Sequence, residues 1–210
     1  MEYKVKNIEE IGARIELTRF TAGEVEEVHA MLHVEARGEI FENQLQRIQT
    51  AETALKQMEE VKDAHPVFKR YFLSDATNQV PCIKQEDNCT ISYIQQPPLD
   101  GSKIAIWLYL QKGTDISNMN GSTVVSHNGY LHIWTMGVMN TTADTSYMQT
   151  WKTLFSYIDT LKLFHATLEA NCIRTWFFVR DVDTQYNGLV KSRRECFMEQ
   201  GLTPDTHYIA

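Results

Sequence analysis

The sequence predicts an α+β protein of two tandem units, and three observations carry that expectation. First, "VFKRYFLSDATNQ" at 67–79 returns as "IRTWFFVRDVDTQ" at 173–185. Each is an apolar-aromatic run that ends in Asp, with Gln four residues on. Asp75 aligns with Asp181, Gln79 with Gln185 and Phe72 with Phe178, all at one offset of 106. Second, the apolar period switches between two and about 3.6, the mark of strands alternating with helices. Third, the order of elements starts again after residue 122.

Each element follows from its pattern. "ARIELTRF" (13–20) alternates as a strand, "TAG" turns, and "EVEEVHAMLHVEA" (24–36) returns as the second arm of a hairpin. Over 40–60, Phe41, Leu45, Ile48, Ala51, Leu55 and Met58 fall on one helical stripe, and such a stripe needs a sheet face to cover. "VFKRYFLSD" (67–75) is a strand, and 76–87 a short helix made irregular by Pro81. "NCTISYIQQ" and "SKIAIWLYLQK" are strands joined by "PPLDG".

The stretch 113–122, "GTDISNMNGS", has the composition of a connector. A hairpin with its turn at "HNG" follows over 123–138. A long helix spans 144–170, with Asp144 as its N-cap and Met148, Trp151, Leu154, Ile158, Leu161 and Leu168 on its apolar face. "CIRTWFFVRD" (172–181) is a strand, and 182–201 a helix closed by Gly201. "THYIA" (206–210) opens a further strand. The expected division is a first unit at 1–112, a linker at 113–122 and a second unit at 123–210 that lacks its closing strand. Such a sheet is unfinished, so either another chain completes it or the sequence is a fragment of a longer one.

The charge balance, 20 basic against 27 acidic residues and a net −7, excludes broad binding to nucleic acid or anionic membranes, which need a clustered positive field. The only tight basic group, "KSRRE", reads as a solvated helix turn. No stretch has the length of a membrane span. Cys82, Cys89, Cys172 and Cys196 form no C-x-x-C pair and read as reduced thiols of a cytoplasmic protein. The N-terminus lacks the apolar run of a signal peptide.

Few constellations suggest chemistry. His29 and His33 sit four apart on a strand, about 13 Å from one another, which does not suit a shared metal. His127 and His132 flank a hairpin turn and read as polar hairpin residues rather than ligands. No metal and no cofactor is expected. Trp176, Phe177 and Phe178 read as core. Arg174 and Arg180 share a strand face beside Asp181, where they either shape a pocket or, for Arg180, pair with Asp181 or Asp183.

The order hairpin-helix-strand-helix-strand-strand resembles the reactive-intermediate deaminase family, also called the RidA/YjgF or L-PSP endoribonuclease-like family. "ISYIQQPPLDGSKIAIWLYL" (91–110) is similar to that family's closing pair of strands around a Pro-x-Gly turn. "RTWFFVRDVDTQYNGLVKSRRECFMEQGL" (174–202) is similar to its strand-Asp-helix segment, closest to the tandem chorismatase branch. The resemblance implies two β-β-α-β-α-β units, helices on one face of mixed sheets, and either a homotrimer or a pseudo-symmetric monomer. It implies hydrolysis of enamines and imines, with an Arg that grips the substrate carboxylate and a Glu or a polar backbone site on the last strand that handles water and protons. Those positions fall on Thr90 and Trp107 in the first unit, which reads as a degenerate site. In the second unit the Arg position falls on His207 or Thr206. The expected function is therefore a small-carboxylate-binding or non-catalytic scaffold, with His207, Arg174 and Arg180 as the ligand-binding residues. In a longer parent protein the expectation is a hydrolase of enamine, imine or chorismate-like substrates.

Overall fold

The computed structural model describes residues 1–84 and 88–203, and these form an α+β protein with a mixed sheet. The chain divides into two compact units, Met1–Gly137 and Val138–Ala210. The hairpin expected to open the second unit therefore belongs to the first. The tail of the short helix expected over 76–87 and the strand expected at 206–210 fall outside the described residues. No helix among the described residues is long and apolar enough to cross a membrane.

In the first unit, β1 (Glu2–Ile8), β2 (Ala13–Ala22), β3 (Val25–Val34), β4 (His65–Leu73), β5 (Thr90–Gln95) and β6 (Ile104–Lys112) make a six-stranded sheet in the order β1-β2-β3-β6-β4-β5. All neighbours are antiparallel except β4 and β5. The parallel pair is permitted by the crossover α2 (Ala76–Gln79) and the 3-10 turn Val80–Cys82, because parallel neighbours need a connection longer than a hairpin. The β2–β3 hairpin forms as expected. β1 was not anticipated; it is exposed except at Ile8, so its sequence carries little of the apolar alternation that marks a strand.

The helix α1 (Phe41–Lys56) is shorter than the 40–60 expected. It ends at Gln57, and a 3-10 turn, Glu59–Val61, follows. Its stripe, Phe41, Leu45, Ile48, Ala51 and Leu55, buries against Ile15, Leu17, Ala30, Leu32, Ile106 and Leu108 of the sheet. This is the main core.

The second sheet face is covered over one end by three antiparallel strands, β7 (Asp115–Met119), β8 (Ser122–His127) and β9 (Tyr130–Trp134). Residues 113–122, expected as a connector, thus contain a strand. Val125 of β8 packs with Val67, Phe68 and Tyr109, and Trp107, Ile116, Trp134 and Met136 join them. At the junction, Gly113 has φ +71, and a Cβ there would stand 2.1 Å from the Glu24 carbonyl oxygen. That is a close approach only glycine allows.

In the second unit, α3 (Ser146–Leu163), α4 (Leu168–Asn171) and α5 (Val182–Glu199) are helical. The helix expected over 144–170 is interrupted after Leu163, where His165 adopts φ 54. Its N-cap is Thr145, which accepts from the Met148 backbone, rather than Asp144. Leu154, Ile158 and Leu161 pack with Cys196 and Phe197 of α5, so the long helix covers another helix and not a sheet. The strand expected at 172–181 joins no ladder among the described residues.

The repeated Asp and Gln now have a structural account. Asp75 caps α2 by accepting from the Asn78 backbone, and Asp181 stands at the N-cap of α5. Gln79 and Gln185 each donate a backbone bond to the matching Asp carbonyl, at 3.0 and 2.9 Å. Both mark the start of a helix, after β4 for Asp75 and after a segment in no ladder among the described residues for Asp181.

Candidate functional site on the second sheet face

β4 carries two adjacent charges, Lys69 and Arg70, inside an apolar run, and alternation sends them to opposite faces. Lys69, 2% exposed, points to the α1 side and meets Glu52 Oε1 at 2.7 Å. Arg70, 5% exposed, points to the second face. A bulge between Pro66 and Phe68 sets the register there, placing Phe68 beside Tyr109 and Arg70 beside Trp107.

The register lays out one row across all six strands: Ser92, Arg70, Trp107, Met31, Glu16 and Val5. Arg70 Nε donates to Ser92 Oγ at 3.1 Å. Its guanidinium lies 5.3 Å from the Trp107 ring centre and 5.7 Å from that of Phe68, within cation–π range. Burial pushes the Arg70 pKa down to about 10, so the side chain stays a cation at neutral pH while partly stripped of water. The row opens toward β1, where Trp107, Met31 and Glu16 are half-buried and Val5 is exposed.

The neighbouring row adds a polar and aromatic wall. Trp107 Nε1 donates to His29 Nδ1 at 3.1 Å, and the His29 ring stacks on Tyr109 with centroids 4.5 Å apart. Burial lowers the His29 pKa, so the ring is neutral, accepts at Nδ1 and carries its proton on Nε2. Burial likewise raises the pKa of Tyr109, whose hydroxyl accepts a bond from Gln111 Nε2.

A cleft of about 190 Å³ opens on the other face of the sheet, lined by Leu55, Val61, Pro66, Leu108 and Leu110. Of its two acidic residues, Glu52 and Asp63, Glu52 is already held by Lys69 and by Lys56 at 3.2 Å. The aromatic face is the better candidate.

The residues expected to bind ligand are distributed differently. Arg174 and Arg180 share the exposed side of the 172–180 segment with Trp176 and Phe178, and the Arg174 guanidinium lies 5.9 Å from the Trp176 ring centre. Trp176 and Phe178, expected as core, are 43% and 51% exposed. Asp181 Oδ2 accepts from Thr184 Oγ1 at 2.8 Å. His207 lies outside the described residues. Thr90 and Trp107, set aside as a degenerate site, lie on the face that holds Arg70; the Thr90 backbone donates to Thr123 Oγ1 at 2.7 Å. Sequence reasoning missed Arg70. The signal was the adjacent Lys-Arg pair in a strand otherwise too apolar to be solvated, since buried charge is retained only with partners.

No protein-family model, no curated protein and no solved structure matches the chain.

Proposed function

We propose that the chain is a divergent RidA/YjgF-like protein that binds a small carboxylate without turning it over, and that the binding cation is Arg70. The observation that carries this reading is the desolvated guanidinium seated between Ser92 and the Trp107 ring. A planar carboxylate accepts two parallel bonds from such a group, and a dry setting strengthens them. Among the described residues, those that flank Arg70 on this face, Ser92, Trp107, Phe68 and Phe72, carry no general base, which favours binding over hydrolysis. Self-association through the open end of the same face belongs to this reading: Tyr3, Val5 and Phe20 are exposed there, and exposed apolar clusters mark interaction surfaces.

The test is calorimetric titration of pyruvate, 2-ketobutyrate and chorismate into the wild type, Arg70→Met and Arg174→Met. We expect Arg70→Met to weaken binding by a factor of about 10–100, the cost of a charge-assisted pair, and Arg174→Met to leave it unchanged. Equal affinity in wild type and Arg70→Met, with folding retained, would remove Arg70 from the site. Loss in Arg174→Met alone would return it to the second unit. Sedimentation of the same samples reads the assembly, and a monomer at every concentration would remove that part.

A further inference from the structure

Within the first unit, the three-stranded sheet turns one face toward the six-stranded one. Val125 lies on that inner face, packed on Phe68 and Tyr109. His127 follows Val125 by two residues on the same side, and His132 is the cross-strand partner of Val125. Both histidines therefore sit on the inner side of the β8–β9 hairpin, near its tip. Both are half-buried.

The ring centroids of His127 and His132 are 5.0 Å apart, with planes at 76°. Two imidazoles that share one tetrahedral ion, with metal–nitrogen bonds of about 2.0–2.1 Å, put their ring centres about 5 Å apart. Two further atoms at this place lack partners. His127 Nδ1 is buried without a hydrogen bond among the described residues, and so is Thr114 Oγ1. Continuing the β7–β8 register by one residue from the Asp115↔Ser126 pair sets Thr114 opposite His127. Buried polar atoms of this kind are ordinarily satisfied, by water or an ion if not by protein.

We propose that His127 and His132 form an open two-imidazole site for one divalent transition-metal ion of the zinc–copper group, with the Thr114 hydroxyl beside it. Imidazole nitrogen selects these metals over magnesium and calcium, which prefer oxygen. Among the described residues no group of three His, Cys, Asp or Glu side chains converges. The remaining coordination positions are therefore open to water or to an added ligand. This site is independent of the carboxylate reading and of Arg70.

The experiment titrates Zn²⁺ and Cu²⁺ into the full chain by calorimetry, with His127→Asn, His132→Asn, the double variant and His165→Asn. His165 is exposed on the second unit and controls for adventitious imidazole binding. The expected result is one ion per chain, with affinity reduced about tenfold or more by either hairpin substitution and unchanged by His165→Asn. A folded double variant that binds as tightly as the wild type would overturn the proposal, as would a wild type that binds neither metal. If the double variant fails to fold, the wild type carries the test. Electron paramagnetic resonance of the protein with one equivalent of Cu²⁺ then shows two coordinated imidazole nitrogens, and a spectrum with one or none overturns the site.

Discussion

Replacing Phe68 by alanine lowers the stability of the first unit by about 3–5 kcal/mol, the range for emptying a buried aromatic site. Phe68 is fully buried and stands where the two sheets meet. Its ring centre lies 5.0 Å from Trp107, edge to face, and 5.4 Å from both Tyr109 and Trp134. Deleting it removes the transfer free energy of the ring and leaves a cavity that rigid β-strands close poorly. It also removes one of the two ring contacts of the hairpin indole among the described residues, leaving Tyr109 at 5.3 Å. Urea unfolding reads the loss, and native-state fluorescence should move to longer wavelength as Trp134 gains water. Phe72→Ala, half-buried four residues along the same face, should cost clearly less. Equal midpoints for Phe68→Ala and wild type would show that the three-stranded sheet holds its place without this ring.

The second large effect is expected one residue on. Lys69→Met should destabilise by about 3–5 kcal/mol, because it leaves the Glu52 carboxylate in the core interface without its shortest partner. Glu52 is 7% exposed; Lys56, its other cation, is a surface side chain. Lost charge pairing and lost volume can be separated, since methionine keeps most of the lysine stem. Adding Glu52→Leu to Lys69→Met should recover most of the stability, because an apolar pair of similar size avoids the desolvation cost. A double variant as unstable as the single one would assign the role of Lys69 to its other contacts. The two predictions concern opposite faces of β4 and should add in the double variant Phe68→Ala/Lys69→Met within about 0.5 kcal/mol if the faces are independent.

Much of the first unit was legible in the chain. The β2–β3 hairpin, α1, β4, β5 and β6 each carry a period-2 or period-3.6 pattern over enough residues to declare themselves. The Asp–Gln repeat was legible too, but its capping role was not: Asp75 accepts from the Asn78 backbone, whereas Asp181 stands at an N-cap without a side-chain bond to the backbone. The candidate site was not. Trp107 and Thr90 were singled out by resemblance and then set aside. Arg70 passed unnoticed because only its cross-strand neighbours, Ser92 and Trp107, make it more than a charge in a strand.

What the sequence by itself determined was the set of locally patterned elements and the α+β class. Tertiary structure decided which of them became paired, and with what. "DISNM" has no strand pattern of its own, yet Asp115 to Met119 form β7 because the register with Ser122 to Ser126 satisfies their backbone. "CIRTWFFVR" has the stronger strand composition and joins no ladder among the described residues. The hairpin at 122–134 looked like the start of a second unit and became the cover of the first, because Val125 and Trp134 found Phe68 and Tyr109. The physical reason is that β-structure is completed by hydrogen bonds and apolar faces supplied from distant parts of the chain, whereas helices and their caps close within a few residues.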